Sequence, residues 1–107
     1  MSTAVAAQQE LVSLNTVHFT VSAAADPAAL SRVVEFFALN DILPELVRSR
    51  RFNGGLLTID IKARGLDDRR AGVIAEKIRA SVLVYSVAVE TIAVGADLVD
   101  RRLRLLG

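Results

Sequence analysis

From Asn15 the chain alternates, with Val17, Phe19 and Val21 apolar and His18, Thr20 and Ser22 polar. A period of two with β-branched residues describes a strand that buries one face and leaves the other in water. At Asp26-Pro27 the period changes. Leu30, Val33, Val34 and Phe37 follow at i, i+3, i+4 and i+7, with Ser31, Arg32 and Glu35 facing away, so a helix with one apolar stripe is expected. Asp26 is placed as its N-cap and Pro27 as its first residue, where a missing N–H has no intrahelical partner to lose. Asn40-Asp41 and Pro44 stop this helix near residue 39.

A second strand is expected from about Glu45 to Phe52, then a hairpin turn at Asn53-Gly54-Gly55, where positive φ is easily reached. The third strand, Leu56 to Ala63, sets Leu57, Ile59 and Ile61 on one face and Thr58, Asp60 and Lys62 on the other. Asp67-Asp68 then open a second helix, favoured by negative charge in its first turn. Its stripe is Ala71, Ile74, Ala75 and Ile78, and Arg69, Arg70, Glu76, Lys77 and Arg79 lie outside it. A fourth strand from Val82 to about Val94 completes the unit, with Tyr85 read as a core residue.

The order strand, helix, strand, strand, helix, strand predicts an α+β, ferredoxin-like βαββαβ sandwich. Its four-stranded antiparallel sheet carries both helices on one face. The expected organisation is a flexible segment at residues 1–13, a domain over 14–94, and an amphipathic basic tail over 95–107. That tail sets Leu98, Val99, Leu103 and Leu106 beside Arg101, Arg102 and Arg104. It is expected to dock on its own domain or on a partner subunit.

Composition narrows the function classes. The 107 residues suit one domain, and with four Phe, one Tyr and no Trp the core must be aliphatic. A net charge of +1 gives no field for nucleic acid or an anionic membrane. No cysteine is present, which excludes disulfides and thiolate chemistry. The N-terminus has no secretory pattern, and no apolar run reaches the roughly 18 residues of a membrane span. A cytoplasmic protein is expected.

Candidate chemistry is sparse. His18 is the single histidine and points to the uncovered sheet face, where Asp60, Lys62, Ser86 and Glu90 are its expected company. A Ser/His/Asp grouping there lacks a nucleophile elbow and an oxyanion site, so a solvated polar face is the better reading. One histidine and scattered carboxylates form no metal-ligand pattern, and no cofactor is expected. Arg48, Arg50 and Arg51 make a basic second strand, but the central strands carry no exposed aromatic on which bases would stack. The start of the first helix is left as the candidate ligand site, because exposed N–H groups there attract anions.

The run Pro27, Leu30, Ser31, Arg32, Val33, Phe37, set between two such strands, resembles ACT domains. It is most similar to the regulatory small subunit of acetolactate synthase, which carries a Pro-Gly-Val-Leu-Ser-Arg-Val stretch there. Ile78 ahead of Val82-Leu83-Val84 is similar to that family's second helix and last strand. The resemblance implies a non-catalytic regulatory module that pairs side by side through a sheet edge and the first helix. It also implies an amino-acid effector between subunits and a catalytic partner in branched-chain amino-acid synthesis. Such pairing would bury Val47 and the stems of Arg48 and Arg50. Carried onto this chain, the ligand contacts are Ala25, Asp26, Ala28 and Ala29 of one subunit with Asn40, Asp41 and Leu43 of the other. Ala28 stands where the family has Gly, and Leu43 where it has Asn. The alternative reading is therefore an interaction module that keeps the fold and dimer without an effector.

Overall fold

A computed structural model of the protein describes residues 15–92. The expected N-terminal segment and basic tail lie outside the described residues. Within them the elements are β1 (Thr16–Ala24), α1 (Pro27–Leu39), β2 (Leu46–Phe52), β3 (Leu56–Arg64), α2 (Asp68–Arg79) and β4 (Val84–Ile92). The sheet is antiparallel in the order β2-β3-β1-β4, and the helices cover one of its faces. This is the βαββαβ sandwich expected from the hydrophobic pattern.

The core is built by the alternation in β1 and β3. Val17, Phe19, Val21 and Ala23 are fully buried, as are Ile59, Ile61 and Ala63 across from them. From above, α1 contributes Ala29, Val33 and Phe37, and α2 contributes Ala71, Ile74, Ala75 and Ile78. The Phe19 and Phe37 rings meet edge to face, 5.1 Å between centroids and 83° between planes. This joins the middle of β1 to the last turn of α1. The α1 stripe therefore centres on Ala29, Val33 and Phe37, while Leu30 and Val34 lie on its half-buried flank.

Both helix starts follow from their caps. Asp26 accepts from the Ala28 N–H at 2.8 Å, with Pro27 opening the helix, and Asp67 accepts from the Arg70 N–H at 2.7 Å. The hairpin between β2 and β3 turns on Gly54 and Gly55, at φ 85° and 80°. Its tightness sets the register, so that Phe52 faces Leu56 and Arg51 faces Leu57.

Two expectations on the fourth strand need correction. β4 begins at Val84, because Ser81 closes a turn after α2 by accepting from the Val84 N–H at 3.1 Å. Tyr85 is 66% exposed and is no core residue. Opposite Ser22 and Ala23 the ladder steps from Ser86 to Val84, so Tyr85 is the unpaired residue of a β-bulge and is turned out of the inward alternation.

Candidate functional site

The strand β1 ends at Ala24, and the two residues before α1 cross over the tip of the β2–β3 hairpin. The Ala25 N–H donates to the Gly55 carbonyl at 2.8 Å, and the Asp26 N–H donates to the Ala24 carbonyl at 2.8 Å. The Ala29 N–H donates to the Asp26 carbonyl at 3.0 Å. The amides of Ala25, Asp26, Ala28 and Ala29 thus all have acceptors inside the chain. The start of α1 is a finished cap, and backbone amides alone do not make it a receptor.

What stands beside it is a cavity of about 280 Å³, lined by Ala25, Asp26, Pro27 and Leu30 and, from the sheet, by Ser49, Arg51 and Leu57. Leu30 and Leu57 are half-buried and give it an apolar floor. The exposed Asp26 carboxylate and Arg51 guanidinium stand at its rim, and Arg51 has no ion-pair partner among the described residues. The volume falls just under the roughly 300 Å³ at which drug-sized pockets begin, so the occupant it suits is small.

The candidate residues divide. Ala25 and Asp26 line the cavity. Ala28 is half-buried on the first turn of α1, and Ala29 is fully buried in the core; neither lines the cavity. Asn40, Asp41 and Leu43 lie at the opposite end of α1, whose 13 residues span about 20 Å. Asn40 is the C-cap residue and its side-chain amide donates to the Phe36 carbonyl at 2.6 Å. Asp41 takes a positive φ of 58°, and Leu43 is 90% exposed. One protomer does not bring the two groups together.

The residues that reading the sequence did not assign to this cavity are Pro27, Leu30, Ser49, Arg51 and Leu57. The missing step was the strand's parity. The basic run divides by side, with Arg48 and Arg50 on the open sheet face and Arg51, Ser49 and Val47 on the helix side. Counting back from the Asn53-Gly54-Gly55 turn places Arg51 next to the start of α1.

The open face carries the polar cluster expected around His18. Its Nε2 lies 2.8 Å from Asp60 Oδ1, and the Thr20 hydroxyl donates to the same oxygen at 3.4 Å. Register sets Lys62 and Glu90 on either side of His18 and Arg48 beside Asp60. The cluster lines none of the three cavities described. Its His18, Thr20 and Asp60 side chains hydrogen-bond to one another. Among the described residues no group of His, Cys, Asp or Glu is placed to hold a metal ion, and no helix is long and apolar enough to cross a membrane. A further cavity of about 610 Å³ is an open groove on the outside of the helices between Phe36, Leu39 and Val82, away from the start of α1.

This architecture, with a small cavity between the first helix and the sheet edge, is that of an ACT domain. The family model described as an ACT-like domain matches residues 9–96, and the chain belongs to that family. Among solved structures it is similar to the ACT domain from GTP pyrophosphokinase of Chlorobium tepidum. There the TM-score is 0.61 at 9% identity, over 70% of this chain and 96% of that one. The C-terminal domain of the MgtC protein from Mycobacterium tuberculosis gives 0.62 at 17% identity, over 77% and 92%. A homoserine dehydrogenase from Thiobacillus denitrificans gives 0.58 at 14% identity, over 78% of this chain and 18% of the enzyme. At such identities the likeness is one of fold. No curated protein matches the sequence.

Proposed function

We propose that the protein is a non-catalytic regulatory module that senses an amino acid at the start of α1 and passes its state to a biosynthetic enzyme. The observation that carries this reading is the cavity between α1 and β2. It sets a carboxylate, Asp26, and a guanidinium, Arg51, at the rim of a floor made by Leu30 and Leu57. A zwitterion with an aliphatic side chain has the complementary pattern, its ammonium toward Asp26 and its carboxylate toward Arg51. Family membership supports the regulatory part, and the resemblance of the Pro27–Phe37 run supports acetolactate synthase as the partner enzyme. The working unit in this reading is a homodimer joined along a sheet edge, in a cytoplasmic setting. Where β2 edges and first helices adjoin, Asn40, Asp41 and Leu43 of the second copy complete the site around Ala25, Asp26, Ala28 and Ala29. Effector binding acts by favouring one state of the dimer or of its complex with the enzyme.

The test is isothermal titration of the full chain with Val, Leu, Ile, Ser and Phe. Saturable heat with an aliphatic amino acid, lost on Arg51→Ala, is expected. Absence of heat with all five overturns the sensor reading. A dimer that persists in the same experiment would then favour the second reading, an interaction module without effector, for which Ala28 and Leu43 in place of the family's Gly and Asn speak.

A further inference from the structure

The open groove of about 610 Å³ between α1 and α2 gathers apolar side chains that the core does not use, Phe36, Leu39 and Val82. Leu39 is 73% exposed and Val82 87%, and Phe36 is half-buried. Large apolar side chains collected in one open groove mark a surface that another element covers. Glu35 is the single carboxylate in the groove wall, and it has no ion-pair partner among the described residues.

The sequence after β4 has the complementary pattern. Drawn as a helix over 96–106, it sets Ala96, Val99, Leu103 and Leu106 on one stripe, flanked by Leu98 and Leu105. Asp97 precedes Arg101 by four residues and Asp100 precedes Arg104 by four, the order that favours a helix. These charges share the opposite side. Arg102 alone carries charge into the apolar half. There its stem lies on apolar surface while its guanidinium reaches a carboxylate.

The chain leaves the sheet within reach of the groove. The Thr91 hydroxyl donates to the Asp68 carboxylate at 3.3 Å, which ties the end of β4 to the first turn of α2. Residues 93–95 extend up to about 10 Å from there. Lys77, in the groove wall, stands about 14 Å along α2 from Asp68. A helix over 96–106 is about 16 Å long and covers that stretch. Residues 1–14 start from the same end of the sheet, since Thr16 pairs with Ile92, but their one charged side chain, Glu10, has the sign of Glu35. The tail of a second copy competes poorly, because a short linker holds the chain's own segment at roughly millimolar effective concentration.

We propose that residues 96–106 dock on their own domain as a short helix in the groove between α1 and α2, with Arg102 paired to Glu35. The docked segment covers Leu39 and Val82. The groove shares no lining residue with the cavity at the start of α1. Docking requires neither an effector nor a second copy, so a blank amino-acid titration leaves the inference standing.

The test is paramagnetic relaxation in the full chain. No native cysteine competes, so Arg104→Cys, on the polar side of the segment, takes a single nitroxide. The amides of Phe36, Leu39 and Val82 are expected to lose most of their intensity, while those of Ser49 and Arg51 keep theirs. Leu103→Asp should abolish the loss. Glu35→Lys should weaken it severalfold, and adding Arg102→Glu should restore it. Glu35 is exposed on α1, and the tail changes lie outside the described domain, so the fold survives each variant. Mixing nitroxide-bearing chain with ¹⁵N-labelled chain that has no nitroxide reports docking between copies, and no loss is expected there. The proposal is overturned by no loss at the groove, loss spread evenly over the surface, or loss as large in the mixed sample. A groove loss that Leu103→Asp and Glu35→Lys leave unchanged overturns it too.

Discussion

The edge-to-face contact between Phe19 and Phe37 holds the last turn of α1 on the centre of the sheet, and a double-mutant cycle isolates it. Both rings are fully buried, with centroids 5.1 Å apart. Replacing either by Leu removes ring volume and leaves a partly filled space, at a cost of about 1–2 kcal/mol by the transfer and cavity terms of core truncation. Aromatic pairs of this geometry contribute about 0.5–1.5 kcal/mol beyond the area they bury. Phe19→Leu and Phe37→Leu together should therefore destabilise less than the sum of the single changes, by about that coupling. Phe36 is the internal control. It precedes Phe37 but turns to the half-buried outer flank of α1, so Phe36→Leu should add to Phe19→Leu without coupling. The assay is urea unfolding followed by far-ultraviolet circular dichroism, with slopes compared to confirm a common unfolded state. Additivity within about 0.3 kcal/mol for the Phe19/Phe37 pair would refute the packing argument.

The remaining predictions concern a cap and two glycines. Asp26→Ala should cost about 1 kcal/mol through loss of the α1 N-cap, whereas Asp26→Asn keeps an acceptor and much of the stability. If the carboxylate also receives the effector's ammonium, Asp26→Asn should still weaken amino-acid affinity at least severalfold; equal affinity of Asn and wild type would leave Asp26 a cap alone. Gly-to-Ala exchange should have opposite signs at two sites, read as the shift in melting temperature. At Gly55, with φ 80°, alanine is forced into a left-handed backbone and should cost about 1–2 kcal/mol although open space surrounds it. At Gly72, inside α2 with nothing within 4 Å of a new Cβ, alanine should stabilise by about 0.8–1 kcal/mol. Two shifts of the same sign would contradict the backbone assignments.

How much of this was legible in the sequence depends on whether a feature is local. The α2 stripe of Ala71, Ile74, Ala75 and Ile78 is periodic and continuous, and the structure buries those four residues. The Asp26 cap and the start of α2 at Asp67-Asp68 were legible for the same reason, since a helix start is decided within about four residues. Tyr85 was misread because a bulge changes the alternation of β4 and is determined by its pairing with β1, which no local pattern records. The cavity lies between these cases. Its α1 side was marked by Asp26 and Pro27, but its sheet side depends on the parity of β2 relative to the hairpin. Arg51 looked like one member of a basic run until the register separated it from Arg48 and Arg50.

The ligand proposed for the space between α1 and β2 is a small zwitterion. Amide chemical-shift mapping of the uniformly ¹⁵N-labelled full chain during a valine titration tests it most directly. Saturable shifts are expected at Ala25, Asp26, Ala28, Ser49, Arg51 and Leu57, with the open sheet face around His18 and Asp60 unmoved. Shifts confined to the outer groove at Phe36, Leu39 and Val82, or no shifts at saturating valine, would contradict it.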